Sequence, residues 1–444
     1  MLLPAPLNFP QLLEHWFCKR VNHPPVGPFV FSGLISVASM SNGPGIRDYL
    51  AISGVRLVNR LSRMTRRGSG TVAGGRVGLR LAPDLLATMS QGRTTVLVSG
   101  TNGKTTTTSM ITVGWGGPVT FNATGANMPA GHVAALAESS ERRTVLEVDE
   151  AWLPTVLAAT GPRVVVLLNL SRDQLDRAGE VRQMAERWRG ALAQSSGTEV
   201  VVANANDPLV VYAAEEAAQV VWCDVPTTWL ADAVSCPKCT TALSHDANSW
   251  HCRCGFAKPH VVTSTLGGEL VVGGHLVELD LAMPGEFNRA NAAMALTALD
   301  VVGVDLAEAV QRVNAVSSVA GRFSLRQWSG HRFCLLLAKN PAGFAAMLGT
   351  VPRDESDLWV AINARVADGR DPSWLFDVPF EELAGHRVFA MGDRRLDLAT
   401  RLDYAGVDYV IVDDESTVPV SSDVTLLLAN YTAFSDWLAR SSPC

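Results

Sequence analysis

The sequence predicts an α/β protein built on two doubly wound, largely parallel sheets. Three observations carry this. Val-rich apolar runs recur along the chain, helical stretches separate them, and the first run leads into a glycine-lysine-threonine turn. Continuous apolar runs of four to six residues suit strands buried on both faces, and their alternation with helices suits a doubly wound sheet.

Composition sets the bounds. The chain has 444 residues, of which 47% are hydrophobic and 18% charged, with a mean hydropathy of +0.15. That is ample material for packed cores and excludes a largely disordered chain. Lys plus Arg number 37 against 43 Asp plus Glu, a net charge of −6, which argues against a broadly basic nucleic-acid-binding surface. No run of 18 apolar residues occurs, so no membrane-spanning helix is expected. Eight cysteines in so long a chain fit a reducing cytoplasm better than a disulfide-stapled domain.

From Met1 to Gly45 the only charged side chains are Glu14, Lys19 and Arg20, and prolines are frequent. Residues 1–45 are expected to be a poorly ordered extension rather than a signal peptide, because a nucleotide site follows. Met40 is a candidate start, since helical patterning begins at Ile46. The first group of strands is Thr94–Ser99, Thr144–Val148, Arg163–Leu168, Glu199–Ala203 and Gln219–Trp222, with an Ala-rich helix at Gln183–Gln194. Val261 to Met283 alternates around Gly267-Gly268 and Gly273-Gly274, which predicts hairpins. Asn288 to Val302 reads as helix. A second, smaller parallel sheet comes next, from Phe333–Leu337, Leu358–Ile362, Arg387–Met391, Tyr409–Val412 and Val424–Leu428, with helices at Arg394–Ala405 and Thr432–Arg440. The expected division is an ATP-binding domain at 46–315 and a C-terminal α/β domain at 316–444.

The strongest chemical signal is Gly100-Thr101-Asn102-Gly103-Lys104-Thr105-Thr106 after the first strand. Glycines let the main chain approach phosphate oxygens, and the following helix N-terminus offers free N–H groups and the positive end of its dipole. Lys104 would neutralise β/γ-phosphate charge, and Thr105 or Thr106 would place a hydroxyl on Mg²⁺. This is the short G-x-x-G-K-T form, with Val98 at the first glycine of the longer pattern. Glu147-Val148-Asp149-Glu150 ends the next strand, where carboxylates line the ligand crevice of a parallel sheet; Glu147 or Asp149 could hold Mg²⁺. Asn169 to Arg177, with Arg172, Asp173, Gln174 and Asp176, comes after the third strand in the equivalent place.

Cys236-Pro-Lys-Cys239 and Cys252-Arg-Cys254 are two tight pairs that can close a tetrahedral thiolate shell around Zn²⁺. A closed shell leaves no open position, so the expected role is structural, as a zinc-ribbon staple of an insertion at about 226–262.

Together these residues resemble the Mur ligase family, and within it the MurT-like branch, over about residues 46 to 440. Gly100-Thr-Asn-Gly-Lys-Thr-Thr is similar to that family's phosphate loop. Gly125-Ala-Asn127-Met, Glu147-Val-Asp-Glu150 and Arg172-Asp-Gln-Leu-Asp-Arg177 resemble its later central motifs. Gly285-Glu-Phe-Asn288-Arg-Ala-Asn291 resembles its nucleotide-contacting helix start, and Gly321-Arg322-Phe323 the arginine motif opening its C-terminal domain. Leu337-Ala-Lys339-Asn340-Pro341-Ala-Gly343 resembles its His-Asn-Pro turn, with Lys339 in place of His. The four-cysteine insertion and Ala367-Asp-Gly-Arg-Asp371-Pro-Ser-Trp374 resemble features of the MurT-like branch. Two departures stand out. Gln174 sits where amino-acid-adding members have His, and no lysine occurs from Gly179 to Ala191 to serve as their carbamylated Mg²⁺ ligand.

The resemblance implies ATP-dependent amidation of the D-Glu α-carboxylate in the lipid II stem peptide, through an acyl phosphate, at the inner face of the cell membrane. It implies Lys104 and Glu147 as catalytic groups, and Gly100 to Thr106, Asn288, Asn291 and Arg322 as nucleotide contacts. Mg²⁺ would sit at Thr105 and Glu147. Attack needs neutral ammonia, which is scarce near neutral pH and is normally released by an activated cysteine. No free cysteine here has a glycine-rich elbow, so a separate glutaminase is expected; the resemblance names a GatD-like partner. It also places Asp371 as the third member of that partner's Cys–His triad, with Asp368 the runner-up. Without the resemblance, Asp371-Pro372 reads as a helix cap. The competing readings are an amino-acid-adding ligase and a zinc-ribbon NTPase acting on nucleic acid.

Overall fold

The computed structural model describes residues 45–64, 72–122, 125–172, 181–227, 229, 231–246, 249–265, 269–283, 285–316, 323–352, 357–421 and 424–444. The expected extension at 1–45 lies outside these except for Gly45, as do Gly267-Gly268, Asp173 to Arg177, and Arg322.

Three helices, α1 (Ile46–Met64), α2 (Ala73–Leu81) and α3 (Leu85–Ser90), precede the first strand, β1 (Thr94–Ser99). Then come α4 (Lys104–Trp115), β2 (Thr120–Phe121), α5 (Pro129–Ala137), β3 (Arg143–Glu147), α6 (Leu153–Thr160), β4 (Val164–Leu167), α7 (Val181–Ala193), β5 (Val200–Asn204), α8 (Pro208–Ala214) and β6 (Val220–Asp224). A small hairpin, β7 (Ser244–Asp246) and β8 (Ser249–His251), belongs to the cysteine insertion. The chain returns through β9 (Thr263–Ser264), β10 (Leu270–Val272) and β11 (His275–Val277) to α9 (Glu286–Val301) and α10 (Leu306–Asn314).

Among the described residues these strands form one sheet in the order β11-β10-β9-β6-β5-β4-β1-β3-β2, parallel from β2 through β9. The alternating segment therefore does not form a separate unit. Its β10–β11 hairpin, turned at Gly273 (φ 56°) and Gly274 (φ 85°), extends the first sheet antiparallel. Inward side chains alternate between two cores. Leu97, Leu146, Val165 and Val201 pack with Val55, Val133 and Trp188 on one face. Val96, Val145, Val164 and Val202 pack with Met110, Ile111 and Leu299 on the other. Burial on both faces is why these strands read as unbroken Val runs. The order of strands reverses beside β1, because β3 flanks it on one side and β4 on the other. That is a topological switch point, which opens a crevice at the strand's carboxyl end.

The second sheet is built from β12 (Phe323–Trp328), β13 (His331–Leu337), β14 (Leu358–Ala361), β15 (Arg387–Met391), β16 (Asp408–Ile411), β17 (Thr425–Ala429) and β18 (Ser442–Pro443), with helices α11 (Pro341–Leu348), α12 (Arg395–Ala405) and α13 (Tyr431–Arg440). Its order is β16-β15-β14-β17-β13-β12-β18, parallel from β16 to β13. Leu336, Val360 and Leu428 face Phe344 and Phe380, while Phe333, Trp359 and Leu427 face Phe434 and Trp437.

Candidate active site

The loop after β1 is held open by glycine at two places. Gly100 has φ 141° and Gly103 has φ 88°, where a Cβ is disfavoured. A Cβ on Gly103 would also lie 2.4 Å from Asn291 Oδ1 on α9, so the predicted nucleotide-contacting helix abuts the loop. The loop's outer wall is the segment after β4. Thr101 N–H donates to Asn169 O (2.9 Å), Asn102 N–H donates to Asn169 Oδ1 (2.9 Å), and Asn169 Nδ2 donates to Asn102 O (3.0 Å). Thr101 and Ser171 bond reciprocally at 3.0 Å. This leaves α4 to start at Lys104 with its first-turn N–H groups and dipole directed into the crevice.

Lys104 is 5% exposed. Its Nζ lies 2.5 Å from Gly100 O, 3.3 Å from Thr101 O and 3.2 Å from Glu150 Oε2. Three acids therefore divide the work at the end of β3. Glu150 pairs with the lysine. Asp149 caps the following turn through Ala151 N–H (3.1 Å), and burial, reinforced by Glu150, raises its pKa. Glu147 is buried beside the loop, in register with Val98.

Sequence reasoning missed the two side chains that hold Glu147. Asn122 accepts Glu147 N–H (2.8 Å) and donates to Glu147 O (2.9 Å). His132 Nε2 lies 2.8 Å from the same carbonyl. With a carbonyl there, Nε2 carries the proton. Burial pushes the His132 pKa down to about 4, so the ring stays neutral. Asn122 precedes the quoted Gly-Ala-Asn motif, but nothing in its local pattern marks it as a clamp.

Asn204, the last residue of β5, and Asp207, just beyond it, support the same edge. Asp207 accepts Leu170 N–H (2.7 Å) and caps α8 through Leu209 and Val210 N–H; complete burial still pushes its pKa up to about 6.

The site is completed by the second sheet. A cavity of ≈ 150 Å³ lies between the domains. Asn102, Gly103, Thr106, Asn288 and Asn291 line it together with Lys339 and Gly343, and Met283, Phe287, Met294 and Met347 supply apolar walls. Asn102 Nδ2 donates to Asn340 Oδ1 (3.2 Å), and that oxygen also caps α11 by accepting Gly343 N–H (2.8 Å). Arg172 bridges Asp232 (2.6 Å) and Asp377 (3.1 Å) across the same boundary. Of the predicted nucleotide contacts, Arg322 lies outside the described residues; Asn102, Gly103, Thr106, Asn288 and Asn291 line this cavity, and Gly100, Thr101, Lys104 and Thr105 do not.

The four cysteines also come together. Their sulfurs lie within 4.8 Å of one another, with Cys239–Cys252 at 3.4 Å and Cys236–Cys254 at 3.7 Å. A tetrahedral Zn–S₄ shell needs sulfurs about 3.8 Å apart, so the donor set fits. The knuckles pack on α8 through Val211, Trp250 and Phe256, and Lys238 pairs with Glu215 (2.7 Å).

Asp371 and Asp368 part company. Asp368 is buried and accepts Arg365 N–H (3.2 Å), Thr432 N–H (2.8 Å) and the Thr432 hydroxyl. Asp371 is exposed and accepts Ser373 N–H (2.9 Å), which holds its carboxyl below the usual range. The segment after Asp371 is a 3₁₀ turn, Ser373–Asp377, rather than an α-helix.

The profile described as Mur ligase middle domain matches residues 98–299, and the profile described as MurT ligase C-terminal matches residues 337–434. The chain belongs to the Mur ligase family. Two similar relatives are named lipid II isoglutaminyl synthase (glutamine-hydrolyzing) subunit MurT. That of Staphylococcus aureus (strain COL) is 28% identical over 430 residues, covering 89% of this chain and 98% of the relative. That of Streptococcus pneumoniae (strain ATCC BAA-255 / R6) is 28% identical over 380 residues, covering 77% and 84%. A pseudomurein peptide ligase type C from Methanothermus fervidus shares the fold, with TM-score 0.61 and 18% identity over 77% of each chain. In this Mur ligase the middle-domain match takes in the phosphate loop, the acidic turn, the cysteine insertion and Asn288/Asn291; the C-terminal match takes in Lys339, Asn340 and Asp371.

Proposed function

We propose that this Mur ligase is the synthetase subunit of a glutamine-hydrolysing lipid II isoglutaminyl synthase. The D-Glu α-carboxylate of the stem peptide attacks the γ-phosphorus of ATP, and ADP leaves. Ammonia then adds to the acyl carbon, and inorganic phosphate leaves with formation of the amide. The observation that carries this reading is the junction of the two domains: a phosphate loop fixed to Asn340 and facing one cavity, with a MurT-type C-terminal domain on its other side.

The α4 N-terminus receives the β- and γ-phosphates, and the apolar walls at Phe287, Met294 and Met347 suit the adenine base. Lys104, already within 3.2 Å of Glu150, exchanges a carboxylate partner for phosphate oxygens and stabilises charge on the transferring group. Asn122 and His132 fix the main chain that presents Glu147. Thr105 and Glu147 would hold Mg²⁺, which supplies charge neutralisation at the β/γ-phosphates. Cys236, Cys239, Cys252 and Cys254 would hold a structural Zn²⁺ that staples the insertion to α8.

Ammonia comes from a GatD-like glutaminase. Asp371 is exposed and has acceptor capacity left, which supports its reaching a partner's histidine; Asp368 is buried and already accepts three hydrogen bonds. The reaction takes place at the cytoplasmic face of the membrane, where ATP and the lipid-linked acceptor meet. Among the described residues no helix is long and apolar enough to cross a membrane.

The test is to supply lipid II and ATP with glutamine plus the glutaminase, or with free amino acids. Stoichiometric ADP, phosphate and amidated lipid II in the first case supports the proposal. ADP formation driven by an amino acid alone overturns it.

A further inference from the structure

Helix α1 is apolar on two opposite faces. Ala51, Val55 and Asn59 are buried against α2 and α5. On the far side Ile46, Leu50, Leu57, Leu61 and Met64 recur at helical spacing and fall within about 60° of arc at roughly 100° per residue. They are 82%, 66%, 59%, 50% and 75% exposed. Leu81, at the end of α2, is 47% exposed and lies over Gly54, which widens the stripe.

The flanks of this stripe are cationic in a chain whose net charge is −6. Arg60, Arg56 and Arg63 lie along one side and Arg47 along the other; α2 adds the exposed Arg76 and Arg80. Arg63 is paired with Glu138 at 3.2 Å. Arg47 and Arg56 donate to main-chain carbonyls of Leu81 and Ala137, which leaves their charge uncompensated. Asp48 is the one acid in the sequence of the two helices. Exposed leucines edged by arginine are the pattern of a helix that lies in a lipid interface, apolar side toward the acyl chains and guanidinium groups on headgroup phosphates.

We propose that the outer face of α1, with the end of α2, docks this protein on an anionic phospholipid membrane. The inference rests on the proposed function, in which the acceptor is lipid-linked. The helices are connected to the active site, because α5 packs beneath α1 and carries the His132 that supports Glu147.

The test is co-sedimentation of the full chain with vesicles of equal parts phosphatidylglycerol and phosphatidylcholine, against phosphatidylcholine alone. Binding to the anionic vesicles only is expected, falling as salt rises. The double variant Leu57→Gln/Leu61→Gln should bind at least about tenfold more weakly. Arg60→Gln/Arg76→Gln/Arg80→Gln should lose about fivefold per arginine and much of the salt dependence. Both variants change exposed side chains and should keep the wild-type melting temperature and full amidation of a soluble, lipid-free stem-peptide acceptor. That last assay separates docking from catalysis, and no amidation of detergent-solubilised lipid II by the wild type with its glutaminase would sink the proposed function and leave the vesicle result standing. Wild type that ignores anionic vesicles overturns the docking surface, as does a Leu57→Gln/Leu61→Gln protein that binds them normally. A wild-type dimer that these substitutions disperse, without vesicle binding, would overturn it too and assign the stripe to a second copy instead.

Discussion

The carboxyl edges of the two parallel sheets have the same architecture and opposite polar economies. After β1 the loop contributes glycines and the N-terminus of α4; Thr101 and Asn102 N–H bond outward to Asn169, the Thr101 hydroxyl to Ser171 and the Asn102 amide to Asn340, while Gly103 and Thr106 line the cavity. After β14 the polar groups are consumed internally. Asn363 and Asn430 exchange main-chain and amide bonds, Arg365 pairs with Asp393 and Asp436, and Asp368 ties the loop to α13. Asp371 projects from that network. One edge is built to receive an anion; the other is a rigid platform that presents single groups, Asn340 and Lys339 to the first domain and Asp371 outward.

The largest break in this contrast is expected from Lys104→Ala. The buried cation is the one side-chain charge in the sequence of the loop, Gly100 to Thr106, and its loss should lower ATP-dependent amidation by about 10²- to 10³-fold. Amidation of lipid II at an unchanged rate in that variant would remove the phosphate loop from the mechanism. Next is Asp371→Asn. Its exposed carboxyl serves no buried contact among the described residues, so melting temperature and ATP binding should hold. Glutamine-driven amidation should fall about 10²-fold or more, while amidation driven by added ammonium stays within about twofold. Equal loss by both routes would show that the residue acts inside this chain and not across an interface.

These two residues also show how much could be read before folding. The strands were legible because burial on both faces erases polar alternation, and the phosphate loop because its two glycines meet a steric demand that no other residue satisfies. The four cysteines were legible because tight pairs in two knuckles are rare by chance. What could not be read is pairing at long range. Asn102 and Asn340 are 238 positions apart, and neither looks unusual in its own segment. Glu147, Asp149 and Glu150 are chemically near-equivalent in sequence; only the direction of the chain after β3 gives the lysine to Glu150. Asp368 and Asp371, three residues apart, separate into a buried tie and an exposed carboxyl for the same reason.

A finer cut comes from the Asn102–Asn340 bond. Asn340→Ala removes the α11 cap and the bridge together, so it should cost about 1 kcal/mol of stability and raise the KM for ATP several-fold. Asn102→Ala removes the bridge and spares the cap. If the bridge matters for nucleotide binding, both variants share the KM defect and only Asn340→Ala melts earlier. A KM defect confined to Asn340→Ala would mean that the cap, and not the contact between domains, shapes the site.

The smallest effect tests whether the buried His132 makes the first edge acid-sensitive. His132 is fully buried with a pKa of about 4, below its ordinary 6.5. Above pH 6.5 both folded and unfolded chains carry it neutral, and it adds no pH dependence. As pH falls from 6.5 toward 4, the unfolded chain takes up a proton that the folded chain excludes, so stability is lost in that window. By pH 5.5 the loss is about 1 kcal/mol, or about 2 °C in melting temperature. His132→Gln keeps an N–H donor for Glu147 O and cannot titrate, so its melting temperature should vary less between pH 7.5 and about 5.5 than the wild type's. Undiminished acid sensitivity in His132→Gln would assign the effect to other groups and leave His132 as a neutral strut behind Glu147.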